Sequence, residues 1–421
     1  MLRQGLLGLA LGSLALTSST APAAEPVTFS EQIVRIFQAH CQECHRPGGV
    51  SPFALTSYLE AYPWRQHILD ATKTGKMPPW KPVVGYGDFR DARRLSPEDR
   101  ELIARWVAAG APEGDPARLP SPKEFPSSWT LGEPDVVLDL GAAYTVPGRA
   151  ADIYRCFPIS TSSPDDRYVA AVEVIPGNRK VVHHVLTFLD TTGASEALDR
   201  AEPGPGYTCF GGPGFAAVGG LGGWAPGSRP HTLPPEVGLL LPAQARVVVQ
   251  MHYNNHGDQD EADRTKIGLH FAKGPIDKRV RIIPVLNMTF TIPAGAARHE
   301  VRASWTVPSG RDLHALAISP HMHLLGREMK VTATYANGTT RPLIYIDDWD
   351  FNWQGSYTFV EPVPLPGGTR IDVVSVYDNS ATSPRRSPGP IRDVSWGDGT
   401  QDEMCIAFLR VTVDRERLNR R

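Results

Sequence analysis

Beyond residue 130, the sequence consists of short runs of β-branched and apolar residues separated by turn-forming clusters. The runs are DVVLDL, YVAAVEVI, KVVHHVLTFL, RVVVQMHY, LHALAIS, KVTATY, IDVVSVY and CIAFLRVTV. Regular spacing of such runs is typical of antiparallel β-sandwiches. The 39 glycines and 39 prolines fit many turns and are not concentrated enough to indicate a disordered chain. We predict two antiparallel β-sandwiches over 131–278 and 279–421, with a break near Gly274–Pro275 or Pro284.

Length and charge narrow the class of protein. The 421 residues exceed one ordinary domain and suggest two or three. The formal net charge of −2 gives no electrostatic reason to expect a nucleic acid or an anionic membrane as partner.

The N-terminus has the pattern of an export signal. Arg3 precedes an apolar run, Leu6–Leu16, and small residues follow up to Ala24. The run is too short to span a bilayer, so we predict a cleaved signal peptide over 1–24 rather than an uncleaved anchor. The mature protein should then be exported, to a bacterial-type periplasm, with no membrane span.

The segment CQECH contains the attachment motif of a c-type haem. Cys41 and Cys44 would form thioethers with the haem vinyl groups, and His45 would be an axial iron ligand. A zinc or thioredoxin-like site is the alternative for CxxC. The histidine that follows, the exported context and the lack of a second CxxC favour one covalently attached haem c.

Helical patterns surround this motif. One helix is predicted ahead of Cys41 behind a Ser30 cap, and a second over Ser96–Gly110. Between them, Met77 is the predicted sixth iron ligand, because the prolines after it hold the loop and a thioether stabilises ferrous haem. His40 and His67 are rival ligands. Ligation by His and Met leaves no open position for oxygen, so this haem should carry electrons.

Residues 27–115 resemble a small class I cytochrome c, as found fused to periplasmic oxidoreductases. We therefore predict an all-α cytochrome c-like haem domain over 25–115. A Pro-rich polar segment, 116–130, reads as a linker to the β region.

Two sets of side chains in the β region are candidate metal ligands. The first contains three imidazoles and the second contains two imidazoles and a thioether: His183, His184 and His252, then His321, His323 and Met404. Imidazole suits copper, zinc, iron and nickel, whereas a thioether selects copper, particularly Cu(I). We predict two copper ions with ligand sets of unequal softness.

Spacing gives the two sets different support. His321 and His323 are two apart, so on a strand they would point to one face. His183 and His184 are adjacent and would point to opposite faces of a regular strand. They can share one metal only at a strand end or a bulge. His256 is a candidate substitute for His252.

The β region also resembles the copper type II, ascorbate-dependent monooxygenases, the group of peptidylglycine α-hydroxylating and dopamine β-monooxygenases. The matching segments occur in family order: Tyr154–Arg155–Cys156, Val182–Leu186, Trp224–Ala225, Gln250–Tyr253, His321–Gly326 and Asp402–Cys405. The resemblance implies two jelly-roll-like sandwiches separated by a solvent-filled cleft. It assigns an electron-transfer copper to the first ligand set and the catalytic, oxygen-activating copper to the second.

Three cysteines remain after the haem motif. Disulfides persist in exported proteins, and Cys156–Cys209 is the pair we expect, although sequence alone leaves Cys405 open as a partner. The family resemblance supports the same pair, because family members bridge the matching positions. It also implies a disulfide partner for the cysteine after the methionine ligand, which this chain lacks.

Two positions depart from the peptide-amidating members of that family. Ser319 stands where they have an arginine that binds the substrate carboxylate, and Phe408 stands where they have a substrate-contacting tyrosine. Peptidylglycine is therefore not expected as substrate, and Phe408 suggests a more apolar pocket.

Together these patterns predict a monooxygenase that hydroxylates a C–H bond of a small-molecule or peptide-like substrate with O₂. An external donor would supply electrons through the fused haem. One alternative is a periplasmic haem and copper electron carrier or copper-handling protein without oxygenase activity. A zinc-dependent hydrolase using the three-histidine set is a third reading, which leaves Met404 and the haem motif without a role.

Overall fold

The computed structural model describes residues 26–47, 49, 51–125, 129–150, 152–225, 228–386 and 389–419. The predicted signal peptide, 1–24, lies outside the described residues. The chain divides into two compact units. One consists of the described residues up to Thr74 together with Leu95–Pro122, and the other of Gly75–Arg94 with the described part of Lys123–Arg421.

The first unit is helical. Its α-helices are α1 Val34–His40, α2 Tyr58–Ala61, α3 Arg65–Lys73 and α4 Pro97–Ala108, with a π-helical turn Phe29–Ile33 and 3-10 turns Tyr62–Trp64 and Pro116–Arg118. As predicted, α4 is capped by Ser96, whose hydroxyl accepts from the Asp99 amide at 3.0 Å, and it stops before Gly110, which has φ +85°. The aromatic core of this helical unit consists of Phe29, Phe37 and Trp106.

The start of the first helix differs from the prediction. Ser30 does not cap it, because its buried hydroxyl donates to the Glu113 carbonyl at 2.8 Å and the helical turn already begins at Phe29. The predicted linker also has structure in its first part. Gln38 donates to the Ser121 carbonyl at 2.9 Å, and Arg118 pairs with Glu31, so the chain packs on the helices up to this point.

The β region begins after this helical unit. The first twelve strands are β1 Val136–Asp139, β2 Tyr144–Val146, β3 Ile153–Ser160, β4 Arg167–Ile175, β5 Val182–Asp190, β6 Tyr207–Thr208, β7 Gly222–Trp224, β8 Val237–Leu241, β9 Arg246–Tyr253, β10 Glu261–Asp263, β11 Lys266–Phe271 and β12 Lys278–Arg279, with helix α5 Ala194–Ala201 after β5. They form two five-stranded sheets, β1-β11-β4-β8-β12 and β6-β3-β9-β5-β7, and the pair β10-β2. Pairing is antiparallel except between β12 and β8.

The remaining strands follow the same plan. They are β13 Arg281–Asn287, β14 Thr291–Ile292, β15 His299–Thr306, β16 Leu313–His321, β17 Gly326–Thr334, β18 Thr340–Ile346, β19 Tyr357–Leu365, β20 Arg370–Tyr377, β21 Val394–Ser395 and β22 Cys405–Val413. They form two four-stranded antiparallel sheets, β13-β22-β16-β19 and β15-β20-β17-β18, and the pair β14-β21. All eight apolar runs noted in the sequence lie in strands, because alternating β-branched residues bury one face of a pleated sheet.

Each pair of larger sheets shares an apolar core. Residues of β1 to β11 bury one cluster and residues of β13 to β22 bury another. A small helical N-terminal region is thus followed by a large all-β region with several antiparallel sheets. In the part of the chain that the structure describes, the helices are too short or too polar to cross a bilayer.

Candidate metal and haem sites

The haem-attachment motif lies in the turn that follows α1. The amides of Cys44 and His45 both donate to the Cys41 carbonyl, at 3.1 and 3.0 Å. His45 Nδ1 lies 2.7 Å from Ser51 Oγ, which leaves Nε2 as the nitrogen that faces an iron ligand position. Neither cysteine forms a disulfide. These residues therefore fit a covalently attached haem with His45 as axial ligand.

The predicted sixth ligand, Met77, belongs to Gly75–Arg94, the segment that clusters with the second compact unit. Its side chain is 37% exposed. Of the rival ligands, His40 lies 3.9 Å from a carboxylate oxygen of Asp99, and His67 is exposed on α3. The identity of the sixth ligand stays a prediction.

His183 and His184 occupy a β-bulge. The register between β5 and β9 shifts between Val182 and His184, so His183 is the extra residue. His184 is then the direct cross-strand partner of His252. The bulge supplies the irregularity that two adjacent histidines need in order to bind one metal ion.

The ring nitrogens of these three histidines converge. His184 Nδ1 lies 3.3 Å from His183 Nδ1 and 3.3 Å from His252 Nδ1. Two imidazole nitrogens bound at about 2.0 Å to one ion, at a near-tetrahedral angle, lie about 3.3 Å apart. The donor set therefore fits a single metal ion. His256, the candidate substitute, is exposed and outside this cluster.

Asp152 orients His252. Its carboxylate lies 2.9 Å from His252 Nε2 and accepts hydrogen bonds from the amide and hydroxyl of Thr400. Burial raises the pKa of Asp152, but the hydrogen bonds from His252 and Thr400 outweigh burial and lower it to about 2. The ionised carboxylate holds Nε2 as the protonated nitrogen, which leaves Nδ1 to face the other two rings.

Burial keeps four of the candidate histidine ligands neutral. It lowers the pKa of His183 to about 3 and that of His184 well below its usual value, and neighbouring imidazoles lower both further. It also lowers the pKa of His321 to about 3 and that of His323 to about 4. Neutral imidazole is the form that binds metal, so protons do not compete for these nitrogens near neutral pH.

In the second ligand set, which contains His321, His323 and Met404, the imidazole rings present Nε2 rather than Nδ1 to a metal. The spacing predicts that His321 and His323 share one face of a strand. In the structure His321 is the last residue of β16 and His323 lies in the loop beyond it, so they do not share a regular strand face. Their ring centroids nevertheless lie 5.2 Å apart. His321 Nδ1 is 2.6 Å from Gln354 Oε1, and His323 Nδ1 is 3.1 Å from the Asp402 carbonyl oxygen. Both Nδ1 atoms are engaged, which leaves both Nε2 atoms for a metal.

Met404 immediately precedes β22 and is 9% exposed. His321 is the register partner of Ile406, and the backbone amides of His323 and Met404 both donate to the Glu403 carboxyl, so Met404 lies near both histidines along the backbone. The donor set at this end of the sheet is therefore two imidazoles and a thioether, which fits copper.

Glu403 ties the two chain segments of this set together. Its fully buried carboxylate accepts hydrogen bonds from the amides of His323 at 2.8 Å, Leu325 at 2.5 Å and Met404 at 3.3 Å. Burial raises the pKa of Glu403 to about 8, while these N–H groups act in the opposite direction. The Glu403 carboxyl group thus fixes the backbone that carries His323 and Met404.

One aromatic ring contacts both sets. Phe351 stacks on His183 with ring centroids 4.6 Å apart and meets the His323 ring edge-on at 5.8 Å. The solvent-filled cleft that the family resemblance implies between two sandwiches stays a prediction.

Several supporting residues were not predicted from the sequence. Glu403 lies inside a segment matched to the family, and its position beside Met404 was a signal for a role. Asp152, Gln354 and Phe351 lie in loops without a local pattern, and only the folded chain brings them to the histidines.

The two positions that depart from the peptide-amidating enzymes face each other. Ser319 on β16 and Phe408 on β22 are direct register partners. Directly opposed residues lie on the same face of an antiparallel pair. The absent arginine and the absent tyrosine hydroxyl thus alter one patch of surface.

The cysteines agree with the expected pairing. Cys156 and Cys209 form a disulfide with Cα atoms 5.8 Å apart. Cys405 is buried, is not in a disulfide, and its sulfur lies 3.3 Å from Ser375 Oγ.

Comparisons with known proteins identify two parts of the chain. Residues 30–107 match the family described as cytochrome c oxidase, cbb3-type, subunit III. The chain is also similar to DBH-like monooxygenase protein 1 of Homo sapiens, with 24% identity over 257 residues that cover 55% of this chain and 39% of that protein. The Mus musculus protein of the same name is 26% identical over 295 residues, covering 63% and 45%. The chain thus spans less than half of the length of these relatives.

Solved structures add little. PNGF-II in its P21 space group aligns with a TM-score of 0.31 and 9% identity, over 67% of this chain and 66% of that one. The infectious bursal disease virus VP2 subviral particle aligns with a TM-score of 0.21 and 11% identity, over 66% and 71%. Scores this low do not establish a shared fold. The sequence matches carry the assignment: this chain joins an N-terminal c-type cytochrome domain to a region homologous to the DBH-like monooxygenases of the copper type II, ascorbate-dependent family.

Proposed function

We propose that this protein is a copper-dependent monooxygenase that hydroxylates a C–H bond of its substrate with O₂. The two copper ions would be held by the sets described above: His183, His184 and His252 for electron transfer, and His321, His323 and Met404 for oxygen activation. Electrons would come from an external donor through the covalently attached haem. The all-β region would consist of two jelly-roll-like sandwiches, one for each set.

The convergence of three Nδ1 atoms at the β5 bulge is the observation that carries the proposal. A bulge that turns two adjacent histidines towards a third is costly in a structural core, because it buries polar nitrogens and interrupts the ladder. His183 Nε2 is buried without a hydrogen-bond partner among the described residues. A metal bound at the Nδ1 atoms would offset these costs, and the homology to DBH-like monooxygenases favours copper.

When bound, copper would supply electron storage and oxygen activation, and a c-type haem would supply electrons one at a time. The chain's own residues do the positioning. Asp152 sets the tautomer of His252, and Gln354 sets that of His321. The Phe351 ring stacks on His183 and restricts the motion of its ring.

The substrate proposal follows from the Ser319–Phe408 pair. The Ser319 hydroxyl and the Phe408 ring lie on one surface patch and support binding of an apolar group. Neither side chain carries the positive charge that would pair with a substrate carboxylate. The substrate would therefore be a small or peptide-like molecule that is not anchored there by a carboxylate. The disulfide between Cys156 and Cys209 supports an exported location, in a bacterial-type periplasm.

Oxygen labelling tests the proposed reaction. Copper- and haem-loaded protein is reduced, mixed with a metabolite extract and ¹⁸O₂, and products are screened for the mass of one added ¹⁸O atom. Met404→Leu should abolish labelling because it removes the thioether. Met329→Leu is the matched control, since Met329 is fully buried on β17 and lies in the apolar core. Labelling that survives in Met404→Leu would exclude Met404 from the catalytic set.

Rapid mixing tests the electron route. Haem oxidation after addition of O₂ and substrate should keep pace with product formation. Haem that stays reduced during turnover would contradict this route. Protein that binds copper but consumes no O₂ with any substrate class would favour the electron-carrier or copper-handling function.

A further inference from the structure

Arg410 on β22 adds a positive charge to the sheet face that carries Phe408. Its neighbours Leu409 and Val411 belong to the apolar core on the other face. Because side chains alternate along a strand, Arg410 and Phe408 point to the same face, with their Cα atoms about 7 Å apart. The arginine therefore lies beside the patch at which the substrate is proposed to bind.

The strand register relates Arg410 to the second ligand set. His321 is the partner of Ile406, and Arg410 is four residues further along β22, or about 14 Å. A molecule held at Arg410 would therefore reach His321 only with an extended part that crosses Phe408.

The surroundings of the Arg410 side chain are apolar or lack a side chain. Its cross-strand partners are Ile282 on β13 and Ala317 on β16. A Cβ added at Gly222 of β7 would lie 3.1 Å from a terminal nitrogen of Arg410. A glycine at position 222 thus leaves room for the guanidinium group between β7 and β22.

No acidic side chain among the described residues pairs with Arg410, which is half-buried. Burial lowers the pKa of its guanidinium, and no described carboxylate acts in the opposite direction. By contrast, Arg279 and Arg281 both pair with Glu416. The positions between 26 and 419 that the structure does not describe contain no Asp or Glu. Partly burying a charge without a partner is costly, so the site favours an anion from outside the chain.

We propose that Arg410 binds a carboxylate group of the substrate. This inference rests on the proposed function, because it places the carboxylate at Arg410 and the hydroxylated carbon near the second ligand set. A planar guanidinium matches the two oxygens of a carboxylate, and its single charge balances a carboxylate better than a phosphate, which carries nearly two. The Phe408 ring lies between the two ends, so the part that joins them would be apolar. The charge that Ser319 on β16 does not provide is thus supplied from β22.

Binding of straight-chain carboxylates tests this site. Full-length protein loaded with haem and copper is kept reduced and free of O₂, and hexanoate or uncharged 1-hexanol is titrated by calorimetry. Arg410→Met removes the charge and should weaken hexanoate binding about ten-fold or more. Arg410→Lys keeps the charge and should lose less. Hexanol binding should stay unchanged in both variants, which also shows that they are folded.

Arg341→Met is the matched control, because Arg341 is exposed on β18 in the other four-stranded sheet. It should bind hexanoate as the wild type does. Chain length provides a second readout: from butanoate to octanoate, each CH₂ that covers Phe408 should tighten binding about four-fold. Phe408→Ala should reduce this gain.

Four results would overturn the proposal: no saturable hexanoate binding by the wild type, equal affinity in Arg410→Met, equal weakening by Arg341→Met, or no gain with chain length. No turnover enters these measurements, so they are independent of the proposed reaction. Protein that binds hexanoate through Arg410 but incorporates no oxygen into any substrate would contradict the monooxygenase function and leave the carboxylate site in place.

Discussion

Removing the carboxylate of Asp152 should weaken copper binding at the first histidine set. The His252 ring is 1% exposed, and its Nε2 has Asp152 as hydrogen-bond partner at 2.9 Å. In Asp152→Ala this nitrogen is buried without that partner, and the ring loses the contact that selects the Nδ1 face for metal.

The size of the effect follows from what each substitution keeps. Loss of a hydrogen-bond partner behind a metal-binding histidine costs about 10–100-fold in affinity. Asp152→Ala removes both the acceptor and the charge, so about 100-fold is expected. Asp152→Asn keeps an acceptor oxygen for Nε2 and loses the charge, so about 10-fold is expected. Thr400 donates a hydrogen bond to the same carboxylate. Asp152→Ala leaves the Thr400 hydroxyl without this acceptor, which adds to the loss of affinity, whereas Asp152→Asn keeps an acceptor oxygen and adds less.

Competition with a chromophoric Cu(I) chelator measures these affinities. The measurement is made in a His321→Ala background, which isolates the first set. Asp372→Ala is the control, because Asp372 pairs with Arg370 at 2.9 Å on the exposed face of β20. Equal affinity in Asp152→Ala and Asp372→Ala would refute the role of Asp152.

Three further predictions concern stability. The double replacement Cys156→Ser, Cys209→Ser opens a loop with a sequence separation of 53 residues and should lower the free energy of unfolding by about 4 kcal/mol; an unchanged denaturant midpoint would contradict this. Glu403→Gln places an amide N–H₂ against backbone N–H groups and should cost about 2 kcal/mol by the same assay. Asp190 accepts hydrogen bonds from Ser195; burial would raise its pKa, but these bonds prevail and lower it. Its contribution is therefore present above its unfolded pKa of about 3.9 and is lost as pH falls through the lower folded value. The stability difference between wild type and Asp190→Asn should shrink below about pH 4, and a difference that grows there would be the wrong sign.

The strands and the helix α4 follow from local sequence patterns. Alternating β-branched residues favour a strand, and a Ser-Pro pair favours a helix start. Both effects depend on residues close in sequence, so they can be predicted without tertiary information. The requirement for an irregularity at His183–His184 was also readable, because strand geometry forbids adjacent side chains from sharing a face. The bulge at Val182–His184 meets that requirement.

The remaining features depend on contacts between distant parts of the chain. Asp152 reaches His252 across 100 residues, and Gln354 reaches His321 across 33. The segment 75–94 packs along the edges of β18 and β19 with the second unit, a contact that the sequence does not predict. Uncovered sheet edges favour such pairing, and no pattern within the segment itself reports it. His323 falls just beyond β16 because the strand ends where the chain turns towards Glu403.

X-ray absorption of the Cu(I)-loaded protein tests the central claim most directly, that the two histidine sets hold copper and that Met404 is a ligand of one. The account predicts two copper ions per chain, with a sulfur scatterer at half of them that disappears in Met404→Leu and persists in Met329→Leu. Fewer than two copper ions per chain, or a sulfur contribution unchanged in Met404→Leu, would contradict it.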